Sequence, residues 1–208
     1  MSALAILAVV VIAGAAFLVL RSDSTGNAGP ELRASTSVDL QPGDLTVDSV
    51  GAPVEFPTDV RDLVLSTLGA YVDHGIVNPL RKGSAVEADL ATVFDAAALG
   101  RLAGTDRALL LDESLPKAEG KVAVTTPPVS MTALADADGK VVLVSANVAL
   151  SVNAQTKKGR LEILRSGSLV FAPDVGGAWK ITGWTMGSER GGAALGPTTT
   201  STTVAATP

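Results

Sequence analysis

The sequence predicts an α+β fold in which helices pack on one face of an antiparallel sheet, preceded by an N-terminal transmembrane helix. Three observations support this prediction. An apolar run occupies residues 3–20, apolar residues recur at helical spacing between 57 and 113, and from Lys121 onward they alternate with polar residues as in strands. Helices that precede a group of strands are typical of the α+β class.

The apolar run from Ala3 to Leu20 predicts an uncleaved membrane anchor over residues 1–21. As a helix it would reach roughly 27 Å, close to the roughly 30 Å hydrocarbon core of a bilayer. A cleaved signal peptide is the competing interpretation, but no Lys or Arg precedes the run and its small-residue cluster lies within it. We therefore expect residues 3–20 to contact membrane lipid.

Two features disagree about the side of the membrane on which the rest of the chain lies. Arg21, the first charged residue, follows the anchor and favours a cytoplasmic domain. The tail from Pro197 to Pro208 is rich in Thr, Pro and Ala, a composition typical of extracytoplasmic segments. Because the charge bias rests on one residue, we expect a single-pass protein of the cell membrane with an extracytoplasmic globular domain.

Composition argues against several classes of function. The net charge of −5 is spread without long basic runs, so we expect no nucleic-acid partner. The chain has no Cys and one His, which excludes a zinc site of the usual Cys/His kind. No glycine-rich phosphate loop is present. We therefore predict no metal and no cofactor.

The chain between the anchor and the tail divides into two parts. Residues 22–54 read as a linker rich in Ser, Thr, Gly and Pro, with a short strand expected over residues 45–50. Residues 55–188 form the predicted globular domain. The tail, residues 189–208, offers almost nothing large to bury, so we predict that it is disordered.

Three helices are predicted in the globular domain. The first begins at Thr58, a candidate cap, and ends near Gly75 and the following Asn-Pro pair. The second begins with a capping-box pattern, Ser84 followed three residues later by Glu87. A third, shorter helix is expected over residues 105–113.

Four strands are predicted after the helices. The first covers residues 121–134 and is interrupted by two adjacent prolines, which cannot donate ladder hydrogen bonds and so indicate a bulge or a sheet edge. Alternating apolar residues predict the next two strands over 142–152 and 161–171. The last strand covers 179–186, and Gly183 within it indicates either a bulge or a close approach of another backbone segment.

The last strand, Gly177-Ala-Trp-Lys-Ile-Thr-Gly-Trp184, together with the order of elements, resembles the nuclear transport factor 2-like (cystatin-like) superfamily. The resemblance covers about residues 55–188 and implies a curved, cone-like sheet wrapped around the first helix. A membrane anchor followed by such a domain is also similar to actinobacterial membrane proteins associated with Mce transport and to bitopic scaffold subunits of type IV secretion systems. These resemblances imply an assembly role with protein partners in the membrane or envelope.

Enzymes of that superfamily, such as ketosteroid isomerases, place Tyr, Asp or His inside the cone. Tyr71 and His74 are the only tyrosine and the only histidine of this chain. Both can point toward the apolar side of the first helix and serve as an acid–base pair. The simpler interpretation, which we favour, places His74 at the helix end, solvated or hydrogen-bonded.

Arg165 shares the strand parity of core residues such as Ile163 and Leu169, which would point its guanidinium inward. A bulge near residues 166–168 would remove this conflict, and we favour it over an arginine in a pocket.

Trp179 and Trp184 lie on opposite parities unless a bulge intervenes. Trp179 then joins the pocket candidates Tyr71, His74 and Arg165. Trp184 is either an exposed partner anchor or covered by a loop.

The sequence therefore favours a membrane-anchored, non-enzymatic interaction or assembly domain, accessory to an envelope transport or secretion complex. A homodimer formed through the sheet is a further expectation. The alternative is a pocket for a small hydrophobic ligand, or a lyase or isomerase of the same fold, that uses Tyr71 and His74.

Overall fold

The structure, a computed structural model, describes residues 38–104, 106–196 and 201–204. One strand comes first, short helices follow, and long strands complete the chain, which confirms the α+β class. The elements are β1 (Pro42–Ser49), α1 (Thr58–Tyr71), a π-helical turn (Val72–Val77), α2 (Asn78–Lys82), α3 (Glu87–Val93), α4 (Ala96–Arg101), α5 (Asp106–Leu110), β2 (Ala118–Thr125), β3 (Val129–Ala135), β4 (Val141–Thr156), β5 (Gly159–Pro173), β6 (Trp179–Gly191), a 3-10 turn (Ala193–Leu195) and β7 (Ser201–Val204).

The first helical segment is longer than predicted. It continues past Gly75 through the π-helical turn into α2, which has Pro79 in its first turn. Gly83, at a φ of 99°, ends it in the left-handed conformation typical of helix C-termini. The predicted Thr58 cap is not formed, because Pro57 occupies the N-cap position and no side chain caps the helix.

The second predicted helix is divided in two at Phe94. The capping box is not used: α3 begins at Glu87 with Val86 as its N-cap and without a side-chain cap bond. Phe94 leaves the helix and forms an isolated bridge with Ile181 of β6. Asp95 then caps α4 by accepting a 2.6 Å hydrogen bond from the Ala98 N–H. The break therefore joins the helices to the edge of β6.

The sheet order is β1-β3-β4-β5-β6-β7, with β2 also paired to β4. The predicted strand over residues 121–134 is two strands, because its adjacent prolines, Pro127 and Pro128, lie in the connection between β2 and β3. Both strands pair antiparallel with β4, β3 along its first half and β2 along its second half. One edge of the long β4 is thus paired in both halves, with residues 148–150 between the two partners.

β1 adds a parallel edge that the sequence did not indicate. Its residues pair with β3 in the register Leu45↔Met131 to Ser49↔Ala135. The short strand expected within the linker is therefore present, begins at Pro42 and belongs to the sheet. The rest of that linker up to residue 37 and the predicted anchor lie outside the described residues. No helix in the described part of the chain has the length and apolarity needed to span a bilayer.

The tail differs from its predicted disorder. β6 continues to Gly191, and Ser201–Val204 pairs antiparallel with Gly187–Arg190 as β7. The edge of β6 offers backbone groups that need partners, and Thr and Val are strong strand formers, so pairing takes place despite the lack of a large apolar side chain. Residues 197–200 and 205–208 lie outside the described part.

The predicted bulge in the last strand is confirmed. The β5–β6 register passes from Val170↔Gly183 to Phe171↔Ile181, so Thr182 is the extra residue. This shift turns Trp184 to the same face as Trp179. Both tryptophans are buried, at 6% (Trp179) and 4% (Trp184) exposure. The core therefore lies between the helices and one face of the sheet.

At Gly167 of β5 the backbone of β6 leaves no room for a side chain. Its φ is +146°, and an added Cβ would overlap the carbonyl oxygen of Thr185 and lie 2.9 Å from Met186 Cα. We predict that Gly167→Ala lowers the free energy of unfolding by at least about 3 kcal/mol. Alanine is strained at this positive φ, and its methyl group would overlap the backbone of β6.

Gly191→Ala is the matched control, since nothing lies within 4 Å of a Cβ at this position in the same strand pair. It is expected to change stability by less than about 0.5 kcal/mol. Denaturant unfolding of both variants measures the difference. Equal effects would show that the close approach at Gly167 does not constrain the sheet.

Candidate functional site

Arg165 lies inside the core, not on a bulge. The β4–β5 register runs without interruption from Val144↔Phe171 to Thr156↔Gly159, so the bulge expected near residues 166–168 is not formed. Arg165 therefore keeps the inward parity of its strand, and its side chain is 0% exposed. A buried guanidinium requires a charged partner and hydrogen-bond acceptors.

The charged partner is Asp112, which follows α5. Arg165 Nη2 lies 2.8 Å from Asp112 Oδ1, and both side chains are fully buried. The backbone N–H of Asp112 donates to the Gly75 carbonyl in the π-helical turn at 3.0 Å. Sequence reasoning missed Asp112; the available signal was a carboxylate directly after three leucines that end a short helix.

A second arginine shares the same carboxylate oxygen. Arg190 Nη2 lies 3.0 Å from Asp112 Oδ1 and also donates to the carbonyls of Leu111 and Ala108, at 3.3 and 2.5 Å. The Arg190 side chain is 23% exposed, which makes it the side of the cluster that reaches solvent. Two positive charges against one negative charge leave the cluster with a net charge of +1.

Tyr71 completes the cluster from α1. Its hydroxyl donates to the Leu110 carbonyl at 2.9 Å and accepts from Arg165 Nη1 at 3.2 Å. The ring packs edge-on against Phe94, with centroids 5.9 Å apart. Burial raises the pKa of Tyr71 above 10.0; Arg165 opposes this shift and Asp112 adds to it. Tyr71 is therefore a neutral hydrogen-bonding group over the physiological pH range.

Glu113, the residue after Asp112, also holds the loop in place. Glu113 accepts from Arg107 Nε at 2.6 Å and from the Ala85 N–H at 2.8 Å, while Arg107 also bonds Glu87 of α3 at 2.7 Å. The hydrogen bond from Arg107 lowers the pKa of Glu113. Two successive carboxylates thus fasten this loop, one to the sheet and one to the helices.

His74 does not join Tyr71. Its Nδ1 lies 3.6 Å from Asp89 Oδ2 in α3, with side-chain exposures of 28% and 41%. His74 lies in the π-helical turn, where hydrogen bonds span five residues, so the spacing of three that would align it with Tyr71 on an α-helix does not apply. The predicted acid–base pair is therefore separated.

The two tryptophans are core residues. Trp184 packs edge-on against Phe94 at 6.0 Å between centroids, and the guanidinium of Arg101 lies 4.3 Å above its ring. Arg101 also donates to the Thr182 carbonyl at 2.7 Å. The proposal of Trp184 as an exposed partner anchor is thus corrected by its burial, which follows from the bulge at Gly183.

Several buried polar atoms around Asp112 have no hydrogen-bond partner among the described residues: Arg165 Nε, Asp112 Oδ2, Arg190 Nε and Ser188 Oγ. The arrangement can hold a charge network and can orient an internal polar group. No group of three or more His, Cys, Asp or Glu side chains in the described part could hold a metal ion. The geometry joins α1, the loop after α5, β5 and β6 at one point.

Comparison with known proteins gives no relative: no family model, curated protein or solved structure matches the chain.

The stability of the fold at alkaline pH should depend on the ionisation of Tyr71. The unfolded chain ionises its tyrosine near pH 10.0, whereas the folded chain keeps the phenol neutral to higher pH. The stabilisation is therefore complete below pH 10 and is lost as the pH rises through the folded pKa. Since the chain has one tyrosine, phenolate absorbance follows it directly. We predict that absorbance rises only above pH 10, together with unfolding. A phenolate formed at pH 10 in the folded state would contradict this.

Asp112→Asn should destabilise the fold strongly, because it leaves the Arg165 charge buried without a counter-charge. We predict a loss of about 3–5 kcal/mol in the free energy of unfolding. Asp89→Asn, which changes an exposed carboxylate beside His74, should cost less than about 1 kcal/mol. Urea unfolding measures both. A small effect of Asp112→Asn would mean that the pair is not required for folding.

Proposed function

We propose that this chain is a membrane-anchored, non-enzymatic interaction or assembly domain, accessory to a transport or secretion complex of the cell envelope. One observation supports this above others. Tyr71 and Arg165, the polar groups expected to line a ligand pocket, are fully buried and bonded to each other and to the Leu110 carbonyl. The Tyr71 hydroxyl and the two Nη atoms of Arg165 bond to groups of the fold itself.

The position of His74 supports the same proposal. A catalytic pair needs its two groups within hydrogen-bond reach of one reacting atom. His74 faces Asp89 on the outside of the helices, whereas Tyr71 faces the sheet. The membrane part of the proposal comes from the apolar residues 3–20, and the envelope part from the resemblance to Mce-associated and type IV secretion proteins.

The second candidate function is the binding or isomerisation of a small hydrophobic molecule. The unpartnered buried atoms Arg165 Nε and Asp112 Oδ2 favour it, because they offer a donor and an acceptor at the centre of the fold. A ligand would have to displace packed core side chains in order to reach them. For that reason we place this function second.

Crosslinking of the full-length chain in its native membrane tests the proposal. We expect defined protein partners to be captured in equal yield by the wild type and by His74→Ala, because His74 is not used for catalysis. A parallel screen of hydrophobic small molecules should give no saturable binding. Saturable binding that is lost in Tyr71→Phe or His74→Ala, in variants that still unfold cooperatively, would replace the proposal with the second function.

A further inference from the structure

We propose that the free edge of β1 accepts an extended segment of a partner protein in which basic and apolar side chains alternate. This inference rests on the proposed interaction function and names the surface and the partner chemistry. Three observations support it: an unpaired strand edge, an adjacent groove with an apolar lining, and the distribution of acidic residues around both.

β1 ends the sheet. Within the described residues its only strand neighbour is β3, and the pairing is regular from Leu45 to Ser49. A strand edge presents a row of backbone N–H and C=O groups that can pair with another chain. Addition of an extended segment to such an edge is a common mode of peptide recognition. The register shifts between Pro42 and Leu45, so the regularly paired edge runs from Leu45 to Ser49, with Asp44 immediately before it.

A groove lies where the chain enters β1 and passes α1. Its volume is about 360 Å³, and it is lined by three apolar side chains, Val38, Leu40 and Leu65, and by Ser66, Asp39 and Asp62. The apolar residues are suited to side chains of an added strand, and the two carboxylates lie beside them. Asp39 accepts from Gln41 at 2.7 Å and Asp62 from Arg61 at 2.8 Å, so the groove is polar on that side.

The negative charge of the region around β1 favours a basic partner. Residues 38–66 contain six carboxylates and one basic residue, Arg61, so this segment alone accounts for the net charge of −5 that the whole chain carries. A second copy of the chain would bring like charges together at this edge and be repelled. A basic segment would be attracted.

The two faces of β1 explain why basic and apolar residues should alternate in the partner segment. Asp44 and Asp48 are exposed on one face, whereas Leu45 and Val47 are partly buried on the other, toward the core. Successive side chains of an added strand point to opposite faces. Its basic residues would therefore lie beside Asp44 and Asp48, and its apolar residues beside Leu45, Val47 and the groove.

The test measures binding of a labelled eight-residue peptide of alternating Lys and Val to the full-length chain by fluorescence anisotropy. We expect saturable binding that weakens as salt is raised, because the attraction is between exposed charges. The double variant Asp44→Asn with Asp48→Asn should weaken binding about tenfold. The control, Glu119→Gln with Glu189→Gln, removes the same charge from exposed positions on β2 and β6, away from β1, and should leave the affinity unchanged.

A second peptide separates strand addition from simple charge attraction. This peptide has the same side chains, but its backbone nitrogens that would face β1 are methylated. It therefore lacks the hydrogen-bond donors that would pair with β1. We expect it to lose binding. No binding of the first peptide, equal binding of both peptides, or equal weakening by the two double variants would each overturn the inference. The proposed function would then still be judged by the partners that crosslinking captures.

Discussion

The ion pair between Arg165 and Asp112 is the interaction on which the rest of the structure depends. An isolated charge in a protein interior is too costly to retain, so the inward parity of Arg165 demands a carboxylate at the same depth. Asp112 meets that demand from the loop after α5, 53 residues earlier in the chain. The loop position, the Tyr71 hydroxyl and the Arg190 guanidinium are all fixed by contact with this pair.

Local irregularities make room for the pair. The π-helical turn brings the Gly75 carbonyl to the Asp112 N–H, and a Cβ at Gly75 would lie 3.0–3.2 Å from the Tyr71 ring and Leu111. Gly167 lets β6 approach β5 two residues beyond Arg165. The bulge at Gly183 then returns Trp184 to the core side. π-helical turns and bulges are often found at functional sites; here they surround a network that holds helices and sheet together.

The elements that follow from local pattern could be predicted from the sequence. Alternation identified β4, β5 and β6, the proline pair identified the break between β2 and β3, and Gly183 identified the bulge. The short strand at β1 was expected, but its place in the sheet was not, and β7 was expected to be disordered, because the pairing of both depends on edges supplied by distant strands. In the site, residue type and parity indicated Tyr71 and Arg165, although a bulge that would remove Arg165 from the core was the favoured interpretation. Asp112 and Arg190 were not indicated, because periodicity does not show which loop carboxylate meets a strand arginine.

The most direct test of this account is a double-mutant cycle between Asp112 and Arg165. Asp112→Leu and Arg165→Met are measured alone and together by urea unfolding. Asp112→Leu leaves the buried Arg165 without its counter-charge, and Arg165→Met leaves Asp112 with Arg190 as its only charged partner, whereas the double variant removes both charges of the buried pair. We therefore predict that the double variant is more stable than the sum of the single losses by at least about 2 kcal/mol. Additive losses would contradict the claim that this pair is what the interior of the domain is built to hold.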